Sequence, residues 1–558
     1  MNNQRLAERY LEFYKRANDD KNSKKLPKLW KDFDRYWEGE VNRPQSESDP
    51  GSCVNIIHPN VEGQVAMLTE QNIAVNPQPV TPSDIPFAET VRMVLEFIKD
   101  KNRLIRKLDV HERRREKYGT GILRVIYDPD ALGGVGMPVI DVCNPSNIFV
   151  DPCITDIYKI DEAEFIIETV IKSVNWARRQ FGSIAEMIEP NHFPCGEDVA
   201  AGKSEKYLHM LVWTRQGGRL RLVQMSGCGV ILSDSEESGE GFYPSAKYPY
   251  FFTPLYFREG SIWGKGDVEL LIPVQDVIND LDDQIRRCAR LTGNPQRLIE
   301  TGSGIDLDAL TNEAGLNIPT NSVNSVRTLT PPELPSYVIN RRLMAFQAEG
   351  QRVTRFSDQM TGTKQAGVDT ATEALALQQA GTTGINHKKI LLQETLSELF
   401  TYCLELVREF WTEQVAIKVT DKPDEFIFFS GGELRDIPVL VPANADYRLK
   451  FSSLNPDREV PAFMQMGRAV KDAEFDIKVT VGAGMPTNKA FVYQLMLECT
   501  KGGLIAPEEM REWLCENMGL PVSAEQPKPE AAEMLLPAMG SDIEGTGRGG
   551  APLTGGII

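Results

Sequence analysis

Apolar residues recur along the chain with two periods, and the change between them separates helical from strand-like regions. Residues 4–37 and 87–118 repeat their apolar positions at intervals of three and four, which predicts amphipathic helices. From Gly119 the period falls to two, and ILRVIYD and VIDVC on either side of a glycine-rich turn predict a β-hairpin. The same alternation predicts further strands over 165–171, 207–214 and 219–225.

The strongest helical pattern lies in the middle of the chain, over residues 267–291. Asp276, Asp280 and Asp283 recur at helical steps on one face, and about 25 residues would span nearly 40 Å. Pro273 is expected to start the regular part or to kink it. The apolar stripe consists of Leu270, Val274, Val277, Leu281, Ile285 and Cys288.

A second helix of similar pattern follows after an insert rich in Gly, Pro and Asn at 294–334. It is predicted to open at Ser336 as the N-cap. The two helices and the insert together form a helical hairpin that carries a small module. The apolar positions of the second helix are Ile339, Leu343, Phe346, Gly350 and Val353.

The remaining chain again alternates between the two periods. The segment MTGTKQAGVDT (360–370) interrupts the pattern with two glycines, and a long helix is predicted from there to about Gln414. The apolar stripe of this helix consists of Leu392, Leu396, Leu399, Cys403, Leu406 and Phe410. Strands are predicted at VAIKV, EFIFF and YRLKF, and a helical segment over roughly 458–519. Residues 521–558, rich in Pro, Gly and Ala, are predicted to be a disordered tail. The predicted fold class is therefore α+β.

The order of these segments, over roughly residues 30–520, resembles the portal proteins of tailed double-stranded DNA bacteriophages. YGTGILRVIYDPD with NPSNIFVDP and DEAEFII resembles the first wing β-region, and KYPYFFTPLYFREGSIWGKGDVELLIPVQDVINDL the passage into the first stem helix. MTGTKQAGVDTATEALALQQAG resembles the tunnel loop and the start of the wing helix. DIKVTVGAGMPTNKAFVYQLMLECTKGGLIAPEEMREWLCENMGLP resembles the start of a crown. None of these is a catalytic fingerprint, and their joint order is more specific than any one of them.

The resemblance implies a division of the chain into the parts of a portal fold. A two-helix stem and a small α/β clip stand between the wing and the crown, and the subunits assemble as a ring with an axial channel. The crown is short, and the residues after Gly519 do not match well. The boundaries are 1–265 for the N-terminal helices and wing β-region, 266–293 for the first stem helix, 294–334 for the clip, 335–356 for the second stem helix, 357–371 for the tunnel loop, 372–455 for the long wing helix and wing strands, 456–520 for the crown and 521–558 for the tail.

The function implied is that of a head-tail connector subunit in a ring, usually of twelve copies, at one capsid vertex. Double-stranded DNA is packaged and ejected through such a ring without sequence specificity. The implied partners are the terminase, the major capsid and scaffolding proteins, and neck, adaptor or tail proteins at the clip. The protein is expected in the virion, assembled in the host cytoplasm.

Charge bears on how such a channel treats DNA. The net charge of −18 argues against a tight nucleic-acid binder, and an acidic wall repels phosphate over a Debye length of about 8 Å. The row Asp276, Asp280 and Asp283 would form this wall if it faces the channel; alternatively it is solvated or pairs with arginines of a neighbour. In the tunnel loop the resemblance places Lys364 between Thr363 and Gln365, where repetition around a ring gives a thin positive girdle. The basic helix at 99–117 is either a DNA face or a solvated or inter-subunit face.

Several function classes lack their signatures. The N-terminus has no apolar run typical of a signal peptide, and no segment is apolar enough to span a membrane. Nine scattered cysteines form no C-x-x-C pair, and five scattered histidines suggest no metal site. GSIWGKGD lacks the spacing of a nucleotide-binding P-loop. We therefore expect no enzyme and no cofactor. The alternatives are another ring or adaptor protein of the virion and, further off, a nucleic-acid-processing enzyme.

Overall fold

A computed structural model of the chain describes most residues up to 481, and its helices and strands confirm an α+β protein. No helix in these parts of the chain is long and apolar enough to cross a membrane. The described residues are 3–40, 54–69, 73–195, 205–216, 219–236, 247–293, 295–302, 304–306, 308, 319, 324, 326–329, 335–345, 371–418, 426–442, 464–481 and 500, without the side chains of 371–383, 418, 440–442 and 464–469.

The N-terminal region, predicted as one helix over 4–37, forms two. Lys25 adopts a left-handed backbone conformation with φ 58°, and Pro27 follows within the first turn of the second helix. Because Pro fits the first turn of a helix but not its interior, the sequence PK at this point starts a new helix. The two helices are α1 (Asn3–Ser23) and α2 (Leu26–Glu38), and a third, α3 (Ile57–Thr69), follows them.

The helix predicted over 87–118 is likewise broken in two, into α4 (Ala88–Lys101) and α5 (Leu104–Tyr118). Arg103 has a positive φ of 50°. The buried side chain of Asn102 donates to the carbonyls of Ile98 and Pro138 and accepts from the amide of Ile140. These bonds satisfy polar groups at the break, so the chain leaves the helix there without burying unpaired groups.

The hairpin predicted after Gly119 is confirmed as β2 (Thr120–Asp128) and β3 (Met137–Cys143), which pair antiparallel. β9 (Tyr250–Pro254) pairs with the other edge of β2. A second, five-stranded sheet has its strands in chain order and includes the three strands predicted over 165–225. Its strands are β4 (Ile148–Val150), β5 (Phe165–Ser173), β6 (Lys206–Gln216), β7 (Arg219–Ser226) and β8 (Ile231–Asp234), and α6 (Val174–Phe181) lies between β5 and β6.

Lys21 fixes α1 to the loop before β4. Its ammonium is buried and donates to the carbonyl of Pro145 at 2.9 Å. It lies 4.1 Å from the centroid of the Phe149 ring and 4.9 Å from that of Trp263. Burial lowers the pKa of Lys21 well below its ordinary value. Because its ammonium is bound by carbonyl oxygens and aromatic rings, Lys21 forms a fixed contact inside the chain.

Two long helices and one short one follow the sheets. The helix predicted over 267–291 is α7 (Asp267–Gly293), and it continues through Pro273. The second helix of the predicted hairpin is α8 (Ser336–Met344); the residue before it is Pro335, so the prediction of Ser336 as N-cap is wrong. The long helix predicted to about 414 is α9 (Ala371–Phe410). Between α7 and α8 the structure describes only the short antiparallel strands β10 (Arg297–Ile299) and β11 (Val326–Thr328).

The helix predicted over roughly 458–519 is wrong over 464–481, where the structure has strands; of the rest of that segment only residue 500 is described, and it is helical. β12 (Val415–Lys418), β13 (Phe426–Phe429) and β14 (Ile437–Pro442) are followed there by β15 (Met464–Lys471) and β16 (Phe475–Val481). FDIKVTV in β16 alternates buried and exposed residues strictly, which is the period of a strand. β16 pairs antiparallel with β1 (Ile73–Pro79) near the start of the chain, and β15 pairs with β14. The strand YRLKF and the tail lie outside the described residues.

The largest hydrophobic core joins parts distant in sequence. It includes residues of α2 to α5, the β2–β3–β9 sheet, the first turns of α7, the middle of α9 and β16. The apolar stripe predicted on α9 forms its centre, because five of its six positions are fully buried: Leu392, Leu396, Leu399, Cys403 and Leu406. This core supports the start of α7 and leaves its far end outside.

Candidate functional site

Helix α7 carries the predicted aspartate row, and it has three different faces. One face packs on the rest of the chain, through Val268, Leu271 and Ile278. Further along the same face the buried residues become polar, with Gln275, Asn279 and Asp282. The predicted apolar stripe and the aspartate row form the other two faces, each about a third of a turn away at 3.6 residues per turn.

The predicted apolar stripe of α7 is not covered by the described part of the chain. All six positions are only half-buried: Leu270, Val274, Val277, Leu281, Ile285 and Cys288. The face one third of a turn away packs on the chain instead. An apolar stripe that runs the length of a helix and remains accessible is a surface suited to association.

The aspartate row lies on the exposed side of α7. Asp276 and Asp280 are exposed and Asp283 is half-exposed. Within the chain, Asp276 accepts a hydrogen bond of 2.8 Å from the hydroxyl of Tyr36 on α2, and Asp283 lies 4.0 Å from Arg286 one turn further along. The row thus faces outward at three successive steps, and Asp276 and Asp283 have partners within the chain.

Tyr36 is a partner of the row that the sequence did not indicate. Burial of the phenol and its hydrogen bond to the Asp276 carboxylate raise the pKa of Tyr36 to about 12. The hydroxyl therefore stays protonated at neutral pH and keeps donating to Asp276. This contact fixes the side chain of Asp276 against α2 and leaves the charge of the carboxylate in place.

A charged contact joins helix α8 to α7. The Arg342 guanidinium donates to the Asp282 carboxylate, with Nε 2.6 Å from Oδ1. That hydrogen bond raises the pKa of Arg342. Of the described side chains of α8, only Val338 is buried, whereas four large side chains are strongly exposed: Tyr337, Ile339, Leu343 and Met344.

The second candidate group lies beyond what the structure describes. Thr363, Lys364 and Gln365, predicted as a DNA-contacting tunnel loop, belong to residues 346–370, outside the described residues. The same is true of most of the predicted clip and crown. The assignment of these residues to a tunnel loop stays a prediction.

The basic helix at 99–117 proves to be largely committed to contacts within the chain. Arg113 is paired with Glu62 at 2.8 Å and Arg115 is fully buried. Lys117 pairs with Asp34 at 2.5 Å, and Lys107 donates to the carbonyl of Ile140. Side chains held in this way do not form a DNA face, since a phosphate contact requires an accessible cation.

A buried polar cluster at the start of α7 was not predicted. Lys388 on α9 donates to Glu116 on α5 at 2.9 Å and to Asp267, the first residue of α7, at 2.7 Å. The side chains of Lys388, Glu116 and Asp267 are 2%, 0% and 0% exposed. The charged segment HERRREKYG was interpreted as a basic face exposed to solvent or to another subunit. A signal for the buried cluster was the spacing of residues 111, 112, 115 and 116, because these positions share one face of a helix.

Glycines bring the two ends of this junction together. Gly119 ends α5 with φ +82°, and a Cβ built on it would lie 2.5 Å from the carbonyl oxygen of Gly264. The amide of Gly264 donates to the hydroxyl of Thr120 at 2.8 Å. The motifs YGTG and WGKGD, which both belong to segments that resemble the portal family, are therefore in direct backbone contact at the base of α7.

Metal ligands do not cluster among the described residues. These residues contain no group of three or more His, Cys, Asp or Glu side chains that could hold a metal ion. His209 is buried, and burial lowers its pKa to about 4, so it stays neutral. The six cysteines described are free thiols.

These features define an α+β protein whose long helix α7 projects an apolar stripe and an acidic row away from a well-packed base. The sequence model of the phage SU10 portal protein family matches residues 207–426, which run from β6 through the beginning of β13 and include α7, α8 and α9. This match confirms the resemblance to phage portal proteins, which are a family of structural proteins. A comparison with curated proteins finds no match.

Proposed function

We propose that this chain is the subunit of a portal ring, a head-tail connector at one capsid vertex. Double-stranded DNA passes through the ring during packaging and ejection. The ring also docks the terminase and later the neck or adaptor proteins. The observation that carries this proposal is the three-faced α7, with one face packed on its own chain, one apolar and uncovered, and one acidic.

A helix that stands as a stave in a ring needs these three faces. One face attaches the helix to its own subunit and a second contacts a neighbouring copy. The third faces the channel. The half-buried stripe including Val277 and Leu281 fits the contact with a neighbour, together with the exposed apolar residues of α8. Burial of each such side chain contributes roughly 1.5–3 kcal/mol.

The acidic face suits a channel that moves DNA without holding it. Each phosphate neutralised by Lys or Arg releases counterions and strengthens binding, so a basic wall would retain the DNA. Asp276, Asp280 and Asp283, repeated in about twelve copies, would instead repel phosphate. Lys364, in the proposed tunnel loop, supplies one cation per subunit for transient backbone contact.

Ring assembly is tested by electron microscopy of the purified chain. We expect rings near twelve-fold symmetry from the wild type and their loss in Leu281→Glu. The matched control is Ile171→Glu, which places the same charge at an apolar residue of β5 that is 46% exposed, and it should leave the rings intact. A wild-type chain that stays monomeric at all concentrations and salts would overturn the proposal.

DNA passage is tested separately, by reversing the charge of the row. With Asp276, Asp280 and Asp283 all changed to Lys, rings should still form while the amount of packaged DNA falls. Lys364→Ala tests the proposed girdle in the same assay. Unchanged packaging in the triple variant would place the row outside the channel, and rings without any role in packaging would indicate another ring protein of the virion.

A further inference from the structure

The polar cluster at the base of α7 is built from side chains of four helices, all withdrawn from solvent. Lys388 of α9 donates to Glu116 of α5, to Asp267 of α7 and, at 2.6 Å, to the side-chain carbonyl of Gln64 of α3. Gln64 also donates to Asp267 at 2.9 Å, so the amide bridges the lysine and the aspartate. Every one of these side chains is at most 2% exposed.

A second layer of the cluster lies one helical turn away on α5. The Arg115 guanidinium donates to Glu112 at 2.8 Å and also to the main-chain carbonyl of Lys388 at 2.8 Å. Nδ1 of His111 lies 2.9 Å from the other carboxylate oxygen of Glu112. Lys388 is therefore held at both its ammonium and its backbone, and α9 is fixed to α5 by two independent contacts.

The charges of the cluster do not balance when each group has its ordinary protonation state. Lys388 and Arg115 supply two positive charges, and Glu112, Glu116 and Asp267 supply three negative ones; His111, which contacts Glu112, is counted as neutral. An uncompensated charge in a buried site is costly, and such a site relieves the cost by taking up a proton. One carboxylate of the three is therefore expected to hold a proton at neutral pH.

The surroundings identify Glu116 as that carboxylate. Burial raises its pKa, Lys388 opposes this, and the nearby Asp267 charge raises it again, to about 8. Burial would lower the pKa of Lys388, but Glu116 and Asp267 outweigh burial and raise it, so the lysine stays charged. For Glu112 burial is likewise outweighed, by Arg115 and His111, and the pKa is lowered. The remaining titratable neighbour is Tyr256, whose pKa is raised by burial and by Asp267.

We propose that this cluster is a proton-dependent lock that holds α9 and the first turn of α7 together on α5. With the proton in place, the five charged side chains are neutral as a set and the four helices are closed around Lys388. When Glu116 ionises, its side chain carries a negative charge beside Asp267 in a dry site, and the junction opens more readily. The inference does not rest on the portal proposal, because it concerns contacts within one chain.

The direction of the pH effect follows from proton linkage. A carboxyl whose folded-state pKa lies above its ordinary value of 4.5 binds a proton more tightly in the closed junction than in the open one. Its stabilising contribution is fully present below about 4.5 and is lost as the pH rises through about 8. For one proton, the opening equilibrium of the junction should increase by roughly tenfold per pH unit within this window and level off above it.

Hydrogen exchange of the full chain between pH 5.5 and 9 tests the lock, with rates corrected for the intrinsic pH dependence of exchange. We expect the opening equilibrium constant to rise with pH for the amides around Lys388 in α9 and for those in the first turns of α7. Plotted as a logarithm against pH, it should have the same slope in both helices. In Glu116→Gln, which keeps the shape of the side chain and cannot ionise, both slopes should disappear. The matched control is Glu12→Gln at an exposed position of α1, where the slopes should be those of the wild type.

A second variant keeps the test decisive if Glu116→Gln does not fold. Asp267→Asn removes the neighbouring negative charge, so Glu116 should ionise at lower pH and the rise in opening should move to lower pH. Equal pH profiles in the wild type and in the variant that folds would overturn the proposal. Different slopes for α7 and α9 in the wild type would also overturn it, since the lock requires the two helices to open together.

Discussion

The two ends of α7 differ in how they are held. Its first turn starts at Asp267 inside the buried cluster, and Val268 and Leu271 are fully buried in the main core. Its last turns, beyond Asp282, have no fully buried residue, and α8 is attached to this end through Arg342. One end is thus stabilised by the fold of its own chain, whereas the other presents an apolar surface that the described residues leave partly exposed.

This difference separates stability from assembly. A change at the base of α7 should act on the free energy of unfolding of the single chain, and a change at the far end should act on association between copies. The same type of substitution should therefore lower the free energy of unfolding at the base and weaken association between copies at the far end. Equal effects on unfolding at both ends would contradict the comparison.

The largest effect is expected for Lys388→Met. It removes the cation that contacts the carboxyl groups of Glu116 and Asp267 and leaves the buried charge of Asp267 uncompensated, which costs about 3–5 kcal/mol. Thermal or urea unfolding of the purified chain measures it. Lys28→Met on the exposed side of α2 is the control, expected within about 0.5 kcal/mol of the wild type. A wild-type unfolding midpoint for Lys388→Met would show that the cluster contributes nothing to the base.

Leucine truncation tests the comparison along α7 directly. Leu271→Ala removes a side chain that is 0% exposed and should lower the free energy of unfolding by about 2–5 kcal/mol. Leu281→Ala, at a half-exposed position of the uncovered stripe, should cost the isolated chain about 1 kcal/mol or less. Urea unfolding of both variants at low protein concentration gives the two values, and equal losses would contradict the difference between the ends.

The smallest expected effect concerns the glycine contact at the base. Gly119→Ala should cost more than about 1 kcal/mol, because the position has φ +82° and its Cβ would meet the backbone of Gly264. Gly133→Ala is the matched control: its φ is +75°, but a Cβ there meets nothing within 4 Å. The difference between the losses of unfolding free energy in the two variants measures the effect of the close approach separately from that of the backbone strain. A difference near zero would show that the contact between Gly119 and Gly264 does not stabilise the base of α7.

Much of this architecture could be predicted from the sequence. The stripe of α9 and the alternation in β2, β3 and β5 to β7 predict their elements, because the burial of each follows from one local period. The breaks at Lys25 and Arg103 were missed because they depend on a single left-handed residue inside a pattern that otherwise continues. β16 was missed although FDIKVTV alternates with the period of a strand, because the segment was assigned to a helix over roughly 458–519; only its pairing with the distant β1 had no local signal.

The candidate site was predictable only in part. The aspartate row follows from spacing, and its exposure agrees with that pattern. Its contact with Tyr36 depends on how α2 packs against α7, which no local period reports. The buried cluster escaped prediction because charged residues on a helix are usually solvated, and only the meeting of α5, α7 and α9 shows that these ones are not.

The pairing of β1 with β16 has a consequence for how the protein is made. The two strands are separated by about 400 residues, which a ribosome needs on the order of 20–80 s to synthesise at about 5–20 residues per second. During that time β1 is a nascent strand without its partner and is open to pairing with the wrong chain. Pro77 and Pro79 lie in β1 and lack the amide that such pairing uses. At these two positions β1 therefore offers no amide donor to a wrong partner before residues 475–481 are synthesised.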